Sequence, residues 1–163
     1  YTWRLAFPFP EQEALNMSDT SKTSVIDRDI VSVQEANRAF YDAFETLDIQ
    51  KMDALWLQDG QVKCIHPAWE ICWPDVRDSW VLIFNHTYEI KFSILLIDLT
   101  IKDHLAWTVC KETISTKDSG KWLEGQVLST NIFERREGAW LLTHHHGSPV
   151  LATTKDVEKK ETG

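Results

Sequence analysis

Val33, Ala36, Phe40, Ala43, Phe44 and Leu47 recur at spacings of three and four, the repeat that lines up one face of a helix. Ser32-Val33-Gln34-Glu35 has the form of a capping box, so this helix is expected to start there. A shorter stripe, Ile49, Met52, Leu55 and Trp56, follows Asp48 and stops at Asp59-Gly60. Val62 to His66 reads as a short strand halted by Pro67, and residues 68–73 as a Trp-rich connection. Val76, Trp80, Ile83 and Phe84 predict a third helix, with Pro74 suited to its first turn.

From Tyr88 onward strand-like segments take over. Glu89 to Ile101, Leu105 to Ser115, Trp122 to Arg135 and Trp140 to His146 are separated by turns at Lys102-Asp103-His104, Lys117 to Gly120 and Glu137-Gly138. Helices first and a hairpin ladder after them predict an α+β layer, not βαβ winding. If Glu137-Gly138 is a two-residue turn, Phe133 faces Leu142, Asn131 faces His144 and Ser129 faces His146. Alternation then puts Val127, Ser129, Asn131, Phe133, Trp140, Leu142, His144 and His146 on one face, apolar at one end and polar at the other. The polar end is expected to line a pocket.

The length of 163 residues suits one domain, and a net charge of −8 without a basic cluster argues against nucleic-acid binding. The longest aliphatic stretches, such as Ile94 to Ile97, fall far short of the roughly 20 apolar residues of a membrane span. Cys64, Cys72 and Cys110 form no C-x-x-C pair, so reduced thiols and a cytoplasmic location are expected. Residues 1–26 read as a flexible N-terminal extension, 27–151 as the folded unit and 152–163 as a disordered tail. Neither a nucleophile elbow nor a phosphate-cradling glycine loop occurs.

An ordered set of residues carries a family resemblance. Ala54-Leu55-Trp56, Cys64-Ile65-His66-Pro67, Ser79-Trp80, Asn131 and the run from Trp140 through His144-His145-His146 to Pro149 follow one another along the chain. Over roughly residues 30–150 the sequence resembles the SnoaL-like branch of the superfamily named after nuclear transport factor 2 and ketosteroid isomerase. That resemblance implies a strongly bent, cone-shaped antiparallel sheet wrapped around three N-terminal helices. It also implies a pocket in the cone and a homodimer joined through the outer sheet face. The branch holds isomerases, cyclases, epoxide hydrolases, dehydratases and association modules. The expected function is therefore binding of a small, largely apolar ligand with proton-transfer chemistry of the isomerase, cyclase or dehydratase kind; the alternative is a non-catalytic association module.

Candidate residues follow from the predicted face. His144 and His146 carry imidazoles able to exchange a proton near pH 7. Glu112 alternates with Ala106, Thr108 and Cys110; facing inward it would be a buried general base, and facing outward a solvated edge residue. Asn131 and Ser129 would orient a substrate oxygen, with His66, Trp56 and Trp69 as pocket walls. The bland alternative is that the strand-end histidines are satisfied by neighbouring groups. No His-x-x-Glu or Cys/His spacing supports a metal, and no cofactor is expected.

Overall fold

A computed structural model describes residues 11–66 and 69–151. Three helices, α1 (Glu11–Glu45), α2 (Ile49–Leu55) and α3 (Asp75–His86), are joined to six strands: β1 (Lys63–Ile65), β2 (Trp69–Ile71), β3 (Ile90–Lys102), β4 (Leu105–Asp118), β5 (Lys121–Arg136) and β6 (Ala139–Pro149). The bent sheet and the helices packed inside it form the α+β cone expected above.

The first helix does not begin at the capping box. It is already running at Glu11, and Ser32 to Glu35 lie inside it. No proline or glycine occurs between residues 11 and 45, so nothing in the backbone halts the helix upstream of Ser32. The helix stops where Leu47 turns left-handed at φ 51°, and Asp48 Oδ1 then caps α2 by accepting from the amides of Gln50 (3.0 Å) and Lys51 (3.1 Å). Asp75 and Asp78 stand in the first turn of α3, where the helix dipole favours negative charge.

The sheet order is β2-β1-β6-β5-β4-β3. All neighbours are antiparallel except β1 and β6, which run parallel, so the sheet is mixed. Part of the expected connection at 68–73 is β2, paired to β1. Three hairpins close through two residues: Ser119-Gly120 (φ 49° and 81°) and Glu137-Gly138 (51° and 86°) have positive φ at both, and Asp103-His104 at Asp103 (53°). Their backbone twist matches that of the strands they join.

The last hairpin departs from the expected register part-way along. Phe133 does face Leu142, but a bulge follows: Ile132 faces His144, leaving Thr143 as the extra residue on β6. Asn131 therefore faces His145, not His144, and Ser129 faces Gly147, not His146. A one-residue slip exchanges the two faces of a strand, so His144 and His146 turn to the convex side and His145 turns in.

Phe40, Met52, Trp56, Val76, Trp80, Phe133 and Leu142 are almost wholly buried between the helices and the concave face. Trp80 packs against Phe40 and Phe44 with ring centroids 5.6 and 5.2 Å away. Arg135 ties β5 to α1 through both oxygens of Asp29, at 2.7 and 2.9 Å. Among the described residues, no helix is long and apolar enough to cross a membrane. Leu142→Ala should cost about 2–5 kcal/mol of stability, read as a lowered urea midpoint, because its site is closed on all sides.

Candidate functional site

The concave side of the sheet is polar where inward positions of β4, β5 and β6 meet. Along β4, Ala106, Thr108, Cys110 and Glu112 are buried at every second residue, while Trp107, Val109 and Lys111 alternate to the other side. Their β5 partners Asn131, Ser129 and Val127 continue this face, and His145 completes it on β6. From α1, Asn37 and Tyr41 reach the same region; they stand four residues apart, one turn above the other.

These groups form one hydrogen-bonded set. Tyr41 Oη–H donates to Glu112 Oε1 at 2.7 Å, and Tyr41 Oη lies 3.2 Å from Ser129 Oγ. Asn131 Nδ2 donates to Asn37 Oδ1 at 2.9 Å and lies 3.5 Å from Tyr41 Oη. Thr108 Oγ1 donates to Asn37 Oδ1 at 2.9 Å, and Asn37 Nδ2 points to Cys110 Sγ at 3.6 Å. His145 Nδ1 lies 2.6 Å from Asn131 Oδ1; the amide oxygen can only accept, so Nδ1 carries the proton.

Beside this set lies a cavity of about 440 Å³. Phe44, Ile83, Ile114 and Val127 supply apolar wall, Trp80 closes one side, and Glu112, His145 and His66 bring polar atoms to it. Gly147 is also in the lining. A Cβ there would stand 3.2 Å from Val127 Cγ1 and 3.7 Å from His145 Nε2, so the missing side chain keeps space open next to that nitrogen.

Burial sets the electrostatics. It lifts the Glu112 carboxyl above the ordinary carboxylate range, and hydrogen bonds from Ser129 and Tyr41 only partly offset this. His145 is pushed down to about 3, by burial first and then by His66, His144 and His146, so it is neutral at pH 7. Burial likewise lowers His66, whose Nε2 is enclosed without a hydrogen-bond partner. The Tyr41 phenol is driven well above its usual value by burial and by Glu112. Glu112 is thus a carboxyl of raised basicity, and His145 presents an Nε2 lone pair able to accept a hydrogen bond.

The expected site residues divide accordingly. Glu112 and His66 line the cavity, and Asn131 and Ser129 belong to the buried set behind it. His144 and His146 do not reach it. They stand on the convex side with ring centroids 6.3 Å apart, flanking Cα partners Lys63 and Ile65 of β1. Trp56 is core: its Nε1–H meets Met52 Sδ at 3.4 Å and its ring packs on Trp80 at 6.3 Å. The Trp69 side chain lies outside the described residues. Sequence reasoning missed His145, Tyr41, Asn37 and Gly147. The signal available for Asn37 and Tyr41 was their position four and eight residues after Val33, in line with the buried stripe.

Among the shifted groups, His145 and Glu112 act on stability in opposite directions. Neutral His145 contributes stability that is complete above its unfolded value near 6.5 and is lost as pH falls toward 3. Glu112, raised on folding, contributes stability that is full below about 4.5 and is lost as pH rises through its folded value. In melting temperatures measured across pH 3–8, His145→Gln should flatten the acid limb below pH 6.5. Glu112→Gln should melt above the parent at neutral pH, with the gain vanishing near pH 4.5.

The family model for the SnoaL-like domain matches residues 33–152. The F-box protein SKIP8 of Arabidopsis thaliana is 32% identical over 132 residues, 80% of this chain and 53% of that protein, so the chain spans about half the length of that relative. A candidate dehydratase of the nuclear transport factor 2-like family from Streptomyces avermitilis is similar in structure with a TM-score of 0.72 and 30% identity, over 77% of this chain and 99% of that one. A candidate calcium/calmodulin-dependent protein kinase type II association domain from Thiobacillus denitrificans gives a TM-score of 0.66 and 26% identity, over 72% and 94% of the two chains. With its helices seated in a bent sheet and most of its length matched, this chain belongs to the SnoaL-like domain family.

Proposed function

We propose that the cone binds a small, uncharged, largely apolar molecule carrying a carbonyl or hydroxyl group, and that Glu112 moves a proton on it. The observation that carries this reading is the pairing of a buried carboxyl of raised basicity with a neutral imidazole at one apolar cavity. No lysine or arginine is among the lining residues, so an anionic ligand would find no counter-charge there, and Glu112 would repel it. His145 accepts a hydrogen bond from a ligand hydroxyl or enol through Nε2. Glu112 takes a proton from the carbon next to a ligand carbonyl and returns it to the oxygen. The enol hydroxyl so formed donates to Nε2, because the Nδ1 proton of His145 is committed to Asn131. This division of labour suits enolisation or double-bond isomerisation. It moves the roles first considered for His144 and His146 to His145.

The reading is tested with 2-tetralone, a neutral bicyclic ketone, by following deuterium uptake next to its carbonyl in D2O. The protein should accelerate uptake beyond the buffer rate, and Glu112→Gln should reduce the acceleration by about 100-fold or more. Gly147→Val should abolish it while leaving the circular dichroism unchanged, since the new side chain occupies the space by Nε2. Uptake at the buffer rate, or full acceleration by Glu112→Gln, overturns the assignment.

The proposal includes a homodimer through the convex face. Leu95 and Leu128 project there, 62% and 46% exposed, and a second copy would cover them. Similarity to an association domain supports assembly on this scaffold. Light scattering should give twice the chain mass for the parent and a single chain mass for Leu95→Lys/Leu128→Lys; a parent of single mass sinks the dimer.

A further inference from the structure

We propose that Asn37 is a positioning residue that fixes the tautomer of His145, acting through Asn131. The inference deepens the proton-transfer reading and rests on it for its functional meaning, though not for its geometry. Four elements contribute: Asn37 from α1, Thr108 from β4, Asn131 from β5 and His145 from β6. All four side chains are buried, with at most 6% of any residue exposed, so water does not substitute freely for a missing partner.

The chain of constraint starts at Thr108. Its hydroxyl and Asn131 Nδ2 both donate to Asn37 Oδ1, each at 2.9 Å, which uses both lone pairs of that oxygen. Asn37 Nδ2 is turned the other way, toward Cys110 Sγ. Rotating the Asn37 amide by half a turn would set its Nδ2 against Asn131 Nδ2, donor facing donor in a dry site. Turning both amides together would instead set Asn131 Oδ1 against Tyr41 Oη, whose proton is given to Glu112, oxygen facing oxygen. The Asn131 amide is therefore held with nitrogen toward Asn37 and oxygen toward His145. At 2.6 Å that oxygen requires a proton on His145 Nδ1. Nε2 is left bare on the side where Gly147 keeps space. A helix residue that touches neither the imidazole nor the Gly147 opening thereby determines that His145 accepts, and does not donate, in the cavity.

The experiment is long-range nitrogen–proton NMR on the unliganded protein, which separates a protonated pyrrole-type nitrogen from a bare pyridine-type one. In the parent, His145 should show protonated Nδ1 and bare Nε2. Asn37→Asp, which keeps oxygens to accept from Thr108 and Asn131, should preserve that pattern. Asn37→Leu should yield a second His145 resonance set with the two nitrogens exchanged. Thr108→Val, of equal shape, removes one of the two anchoring donors and should give the exchanged set as a minor form; it decides the question alone if Asn37→Leu does not fold. A purely structural role would lower the melting temperature and leave the nitrogens unmoved. The proposal is overturned by that result, or by a parent carrying its proton on Nε2. No ligand is involved, so failure here is distinct from failure of 2-tetralone exchange.

Discussion

Thr143 has no partner of its own across the β5–β6 ladder. Phe133 takes Leu142 on one side of it and Ile132 takes His144 on the other, and the strand resumes with its faces exchanged. Without that extra residue, Leu142 and His145 could not both face the helices, because an odd separation along a regular strand puts two side chains on opposite faces. With it, β6 places an aliphatic plug deep in the core and an imidazole beside Asn131. The contact of His145 with Asn131, and so the imidazole at the cavity, follows from this one unpaired position.

The cone must also reconcile an apolar interior with the amides, hydroxyls and carboxyl it encloses. A buried polar atom without a partner costs about 1–3 kcal/mol, and here the amides, hydroxyls and carboxyl are gathered so that they satisfy one another, while His66 Nε2 and Trp80 Nε1 stay without a partner. Asn37 gives and receives within the set, Tyr41 is spent on Glu112, and Asn131 bridges Asn37 to His145. The carboxyl is held by hydroxyls and no cation, so its neighbours stabilise the charge only partly and burial keeps its basicity high. A lysine or arginine in the place of Tyr41 would pull the carboxyl down and weaken it as a base.

Much of this was legible in the chain. The Glu137-Gly138 turn sets the first pairs of the last hairpin, and alternation puts Glu112 on one face with Ala106, Thr108 and Cys110. Which way that face points depends on the fold, which turns it inward. The exchange of His144 for His145 was not legible, because neither glycine nor proline marks Thr143 as a bulge. Ser32 to Glu35 satisfies the capping pattern yet caps nothing, since a cap functions only where the preceding residue leaves helical geometry. The parallel pairing of β1 with β6 joins segments about 80 residues apart, and local periodicity carries no information on it. Asn37 and Tyr41 were hidden by their type: a polar residue beside an amphipathic stripe reads as solvent-facing until the sheet that receives it is known.

Gly147 makes a different point about scaffolds of this kind. Its backbone stays in a range open to any residue, so the position is not reserved for glycine by its dihedral angles. What its bare α-carbon preserves is emptiness. A side chain here would leave most of the cavity of about 440 Å³ in place, but its first carbon would already stand 3.7 Å from His145 Nε2. The volume of the container and access to that ring nitrogen are thus separate properties, and one substitution can remove the second while the framework and the first remain.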